Sequence, residues 1–226
     1  MKRESLILLL LVICSTGLAA GAWWIGQTSW LEAVGFVTGA ICVWLVVREN
    51  VWNFPLGLVN VAALCVVYWD KKLYADAGLQ VVYFVLNVLG WYWWLYGGEQ
   101  ATAMKVRRVS WLELLIAIAA GIGGTLLLWQ ILAPYSGSAS FWDALTASFS
   151  LSAQWLMNRK FLESWWFWIV VDIIYVPLYV YKNLYLSAIL YAVFLVMATL
   201  GWLHWRAVMQ AANAELPHMP EPRGIA

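Results

Sequence analysis

Apolar residues run along this chain in eight stretches, at about 5–25, 30–47, 52–69, 76–96, 111–133, 142–158, 165–181 and 184–205. Each approaches the ~20 residues needed to cross a ~30 Å hydrocarbon core. Inside such a core a backbone amide meets no water and must pair within its own segment, so the stretches are predicted to be helices rather than strands. Polar residues interrupt them in helical register. Gln80, Tyr83, Asn87 and Trp91 share one face, as do Asn53 and Asn60 with Gly57 between them. Asp143, Ala147, Ser150 and Gln154 share another, with Thr146 beside it, and Trp168, Asp172, Tyr175 and Tyr179 a fourth. Amides and carboxylates do not face lipid without cost, so these faces must look into the bundle or a water-filled cavity.

The pattern also repeats. Residues 31–94 align without a gap on residues 142–205 at a constant offset of 111, with Trp44 on Trp155, Arg48 on Arg159, Tyr68 on Tyr179, Lys71 on Lys182, Leu89-Gly90-Trp91 on Leu200-Gly201-Trp202 and Trp94 on Trp205. With the first stretch set aside, the order is three helices, one linker helix and three helices. Four spans separate equivalent positions, so the two repeats face the same way, related by an axis along the membrane normal. The expected layout is an N-terminal hydrophobic helix (1–28), a first three-helix repeat (30–96), a linker loop and linker helix (97–135), a second repeat (142–206) and a polar tail (207–226).

Composition removes the soluble alternatives. The chain is 64% hydrophobic and 11% charged, against about 25% charged in a soluble domain. Its net charge of +1 offers nothing to nucleic acid. With the N-terminus inside, cytoplasmic segments carry Lys2, Arg3, Arg48, Lys105, Arg107, Arg108, Arg159, Lys160, Arg206 and Arg223, and outer segments only Lys71, Lys72 and Lys182. That bias places the C-terminus in the cytoplasm. The first stretch has two readings. Lys2-Arg3, the run through Val12 and the small residues from Gly17 to Ala22 resemble a signal peptide, whereas the extension through Trp23-Trp24-Ile25 favours a retained helix. Cleavage would leave the orientation of the rest unchanged.

Candidate chemistry is sparse. Cys14, Cys42 and Cys65 lie in apolar runs and read as core residues. His204 and His218 have no second ligand at helical spacing, and no metal, cofactor or catalytic constellation is apparent. Most tryptophans, including Trp91, Trp94, Trp165, Trp202 and Trp205, fall near span ends and read as an interfacial belt. Trp168 and Trp44 sit deeper. Ser148, Ser150, Ser152 and Thr199 read as interhelical hydrogen bonders, Gly121, Gly123 and Gly124 as close packing. The tail after Arg206, with Pro217, Pro220 and Pro222, reads as frayed or disordered.

Two sets of strings carry a resemblance. They are Lys72-Leu73-Tyr74-Ala75-Asp76 with Gln80, Tyr83, Asn87 and Gly90-Trp91-Tyr92-x-Trp94, and Asp143 with Thr146, Ala153-Gln154-Trp155-Leu156, Arg159-Lys160, Glu163-Ser164-Trp165 and Trp168. In these the chain resembles the PnuC family of nicotinamide riboside transporters over roughly residues 31–206. The resemblance implies a SWEET-like 3+1+3 bundle, a homotrimer in the bacterial inner membrane, and facilitated diffusion by alternating access. It implies no cofactor and no enzymatic step. Asp172 stands where the family often has Asn, and relatives carry thiamine or riboflavin.

A cationic pyridinium, a carboxamide and a ribose suit these residues. Trp168 would stack on the ring. Gln154 or Gln80 would hold the carboxamide, and Asp172 or Asn60 the ribose. Asn87, Tyr83 and Trp44 complete the expected site. A site without arginine has no partner for the phosphate of a mononucleotide, which favours the nucleoside as cargo. No nucleophile, acid pair or metal set supports a membrane enzyme.

Overall fold

The computed structural model describes residues 3–26, 28–70, 74–132, 140–182 and 185–215. Lys2, Lys71, Lys72, Leu73, Leu184, His218, Arg223 and the tail prolines, on which some of the expectations above rest, lie outside the described residues. Eight α-helices are present among those described: α1 (Arg3–Trp24), α2 (Trp30–Val47), α3 (Asn53–Asp70), α4 (Tyr74–Tyr96), α5 (Trp111–Leu132), α6 (Ser140–Asn158), α7 (Ser164–Tyr181) and α8 (Tyr185–Glu215). Among the described residues extended pairing is limited to an isolated bridge between Arg107 and Phe161, which clips the α4–α5 loop onto the α6–α7 turn. α8 continues to Glu215, so the segment expected to fray after Arg206 begins as helix.

Two helices begin with the same string. Ser29-Trp30-Leu31-Glu32 opens α2 and Ser110-Trp111-Leu112-Glu113 opens α5. In each, the serine Oγ accepts from the glutamate backbone N–H at 3.2 Å while the glutamate carboxylate accepts from the serine backbone N–H, a reciprocal cap for otherwise orphan donors.

α2, α3 and α4 pack together, as do α6, α7 and α8, and the two groups meet along α2·α8 and α4·α6. α5 lies against α6, and α1 lies against α2 in the corresponding place, with a smaller contact to α8. Six of the described helices are long and apolar enough to span a membrane. The apolar stretch expected at 5–25 falls on α1. α6 is the polar exception. α6 carries Thr146, Ser148, Ser150, Ser152 and Asn158, all buried. α4, α5 and α7 surround it, so it is not required to be apolar.

The outward surface is lined with Leu, Ile and Val, among them Ile13, Val81, Ile116, Ile131 and Ile173. So much contiguous apolar surface is foreign to a soluble monomer and fits lipid. Ser152 Oγ donates to the Ala117 carbonyl across the α5–α6 contact at 3.0 Å, whereas Thr199 bonds the Leu195 carbonyl of its own helix instead of a neighbour. Gly121 and Gly124 press on Phe149 and Ser148 of α6, but nothing lies within 4 Å of a Cβ built at Gly123.

The core sits between the two groups of helices, and here the contacts come in pairs. Phe54 meets Trp94 edge-on at 5.1 Å, and Trp165 meets Trp205 edge-on at 5.3 Å. Trp94 Nε1 donates to the Met157 carbonyl at 3.3 Å, and Trp205 Nε1 to the Val46 carbonyl at 3.1 Å. A Cβ on Gly90 would come within 2.6 Å of Phe54, and one on Gly201 within 2.5 Å of Trp165. Corresponding residues stand 111 apart in the chain, Val46 preceding Met157 and the others following their counterparts.

Two contacts join residues separated by that same offset. The Trp94 and Trp205 rings lie 5.9 Å apart, and Lys160 Nζ donates to Glu49 Oε2 at 2.9 Å. Glu49 and Lys160 each follow a helix end in the left-handed region, at φ 53° and 51°. Trp94, Trp165 and Trp205 are therefore core residues, at 3%, 2% and 0% exposure. The belt reading is corrected for these three: Trp94 and Trp205 place their indole N–H on helix-end carbonyls and are buried at little cost, and Trp165 is held by its ring contact with Trp205 while its Nε1 has no partner among the described residues. Trp24, Trp30, Trp52 and Trp111 do project outward.

Candidate functional site

Above this aromatic floor the helices part around a cavity of about 380 Å³, within the range of small-molecule sites. Phe54, Trp94, Met157 and Trp165 close its deep end. Tyr68 and Tyr179, near the ends of α3 and α7, and Asp76 and Ser187, near the starts of α4 and α8, mark the opposite end. Beyond that end Lys182 Nζ donates to both carboxylate oxygens of Asp143, at 2.6 and 2.7 Å.

Seven of the eight residues expected to bind solute line this cavity: Asn60 from α3, Gln80, Tyr83 and Asn87 from α4, Gln154 from α6, and Trp168 and Asp172 from α7. The eighth, Trp44, does not. It packs against the core cluster around Val47 and Trp205, and its buried Nε1 has no partner among the described residues. Trp155, its counterpart in the alignment, is exposed and stands edge-on to Trp93 at 5.2 Å.

The seven are not equally available. Asn60 Nδ2 donates to the Gly35 carbonyl at 2.5 Å and to Thr38 Oγ1 at 2.9 Å, tying α3 to α2. Asn87 Nδ2 donates to the Tyr83 carbonyl one turn back. Gln154 Nε2 donates to Asn158 Oδ1 at 2.9 Å, and Asn158 Nδ2 to the Leu86 carbonyl at 2.7 Å, joining α6 to α4. Gln80 and Asp172 make no side-chain hydrogen bond with any described residue, although only 8% and 2% of each is exposed. Among the seven, these are the amide and the carboxylate left for a solute to engage outright.

An aromatic wall was less legible. Tyr191 of α8 packs on Tyr175 at 4.4 Å and on Tyr179 at 5.1 Å, with Phe194 at 5.6 Å, and all four line the cavity. Tyr175 and Tyr179 show their shared face in the sequence, but Tyr191 and Phe194 lie in the apolar run 188–198 of α8 and are marked only by standing 111 residues after Gln80 and Tyr83. Asn158, four residues after Gln154 on the same face, could have been found by extending that register by one turn. Among the described residues no group of His, Cys, Asp and Glu suits a metal.

An apolar helix bundle around a polar, aromatic cavity defines a membrane carrier for a small organic solute. The chain belongs to the nicotinamide mononucleotide transporter family, which it matches over residues 29–207. It is 29% identical over 203 residues to the nicotinamide riboside transporter PnuC of Escherichia coli K12, covering 78% of this chain and 85% of that one. It is 28% identical over 211 residues to the nicotinamide riboside transporter PnuC of Neisseria mucosa, covering 88% and 80%. The riboflavin/roseoflavin transporter RibM of Streptomyces davaonensis is 26% identical over 182 residues, covering 78% and 84%. A crystal structure of the vitamin B3 transporter PnuC superposes with a TM-score of 0.73 at 26% identity, covering 93% of both chains.

Proposed function

We propose that this protein carries nicotinamide riboside across the bacterial inner membrane by facilitated diffusion. The observation that carries the reading is the cavity, which joins stacked aromatic rings to an unengaged amide and an unengaged carboxylate inside an apolar bundle. Trp168 stacks on the pyridinium and Gln80 holds the carboxamide, with Gln154 beside it. Asn60 and Asn87 present their remaining carbonyl oxygens to ribose hydroxyls. The family's description names a mononucleotide, but no arginine or lysine is among the described lining residues to bind a phosphate.

The paired contacts at one offset support two parallel repeats about an axis along the membrane normal, with Glu49–Lys160 and Trp94–Trp205 on that axis. The positive-inside bias puts this closed end, and the C-terminus, toward the cytoplasm. Alternating access would then part these axial contacts while the Asp143–Lys182 end closes. The protein is taken to work as a homotrimer, surrounded by lipid.

Uptake of labelled nicotinamide riboside into proteoliposomes tests the reading. It should level off at equal concentrations inside and out, whatever the pH or sodium gradient, and unlabelled nicotinamide riboside should compete better than thiamine or riboflavin. The riboflavin-named relative makes a flavin the second reading; riboflavin as the strongest competitor would replace the first with the second.

A further inference from the structure

The interior of the bundle holds a carboxyl group that no described residue pairs with or hydrogen-bonds. Asp172 is 2% exposed and lines the cavity, one helical turn from Trp168 and from Tyr175. Its carboxylate has no hydrogen bond and no ion pair with any described residue. The nearby charges are otherwise accounted for. Asp143 is held by Lys182 and Glu49 by Lys160, and Asp76, the other charged lining residue, is also acidic. Across the cavity the other helices contribute Val61 and Asn60, Gln80 and Tyr83, Ser150 and Gln154, and Tyr191 and Phe194, none of them basic. A lone carboxyl group in a membrane-embedded cavity is costly to ionise without a cation beside it and is a functional-site candidate.

Resting on the riboside reading above, we propose that Asp172 is a specificity-determining counter-ion. It makes the carrier select a permanently cationic aromatic solute over a neutral solute of the same shape. The positive charge missing from the wall is supplied by the cargo. Trp168 offers the cation a ring face one turn away, and the carboxylate supplies the full opposite charge in a medium that screens it poorly.

The probe pair is nicotinamide riboside and 1,4-dihydronicotinamide riboside, which keeps ring, carboxamide and ribose but carries no charge. Their affinities for the purified, detergent-solubilised protein are compared by calorimetry. The native protein should prefer the cation by about tenfold or more, the effect of one well-placed charge. In Asp172→Asn the ratio of the two affinities should fall about tenfold, mostly through weaker binding of the cation, while the dihydro form binds as well or better. Asp172→Ser carries the same expectation should the amide variant not fold.

No preference in the native protein, or an equal preference in native and folded variant, overturns the inference and leaves the riboside reading standing. Failure of both ribosides to bind the native protein overturns the riboside reading itself. Binding that requires sodium, lost when potassium replaces it, would assign the counter-ion to an inorganic cation and overturn the inference as well.

Discussion

At the closed end of the cavity, the group formed by α2, α3 and α4 and the group formed by α6, α7 and α8 make the same contacts. An aromatic residue at 54 or 165 braces a tryptophan at 94 or 205, whose indole N–H caps the carbonyl at 157 or 46. Along the cavity wall the two groups differ position by position at the same offset. Gln80 corresponds to Tyr191, Tyr83 to Phe194 and Asn87 to Ala198. On the other side Asp172 corresponds to Val61, Trp168 to Gly57 and Gln154 to Val43. Positions that hold the halves together tolerate little change, because each ring is packed against its counterpart's neighbours. Positions that meet solute are free to differ, and an asymmetric solute requires that they do. The unengaged amide and carboxylate come from α4 and α7, where their counterparts on α8 and α3 are Tyr191 and Val61.

The largest test of the shared end is Trp205→Ala. It removes a fully buried ring that touches Trp94 and Trp165 and should cost ~3–5 kcal/mol of stability by denaturant unfolding in detergent. Trp94→Ala should cost a similar amount. A difference of several kcal/mol between them would break the equivalence.

The Glu49–Lys160 ion pair comes next. Lys160→Met leaves Glu49 alone beneath the core and should cost ~3 kcal/mol. Exchanging the two charges, with Glu49→Lys and Lys160→Glu together, should restore stability to within ~1 kcal/mol. The exchanged ammonium at position 49 would lie beside Trp205 as Lys160 now lies 4.4 Å from the Trp94 ring. An exchange no better than the single change would place the pair off any symmetry axis.

The glycines sharpen the comparison further. Gly201→Ala drives a methyl into the Trp165 ring and should cost ~1–3 kcal/mol. Gly90→Ala should cost more, because its methyl would meet both Phe54 and the Asn158 amide that holds α6 to α4.

The smallest effect belongs to the wall. Trp168→Ala should weaken nicotinamide riboside by ~1–2 kcal/mol in calorimetry, the desolvated cation–π contribution, with the protein still folded. Unchanged affinity in the folded variant would move the ring site to the Tyr175–Tyr191 wall.

The amino-acid sequence by itself determined the helices, their polar faces and the family. A segment in lipid must satisfy its own backbone, so apolar length alone marks α2 to α5, α7 and α8, and the register of Gln80 with Asn87 or Trp168 with Asp172 marks the inward faces. The opening turns of α2 and α5 are likewise set locally, by a Ser-x-x-Glu cap. Tertiary structure decided whatever depends on a partner far along the chain. Position near a span end cannot separate a belt tryptophan such as Trp111 from a core one such as Trp205, whose partner carbonyl at Val46 lies 159 residues away. Nor can an inward face show that the Asn60 and Gln154 amides are already engaged while Gln80 and Asp172 are not, or that Trp44 turns away from the cavity it was expected to line. Periodicity reports which way a side chain points from its own helix; what it meets there is set by how the helices pack.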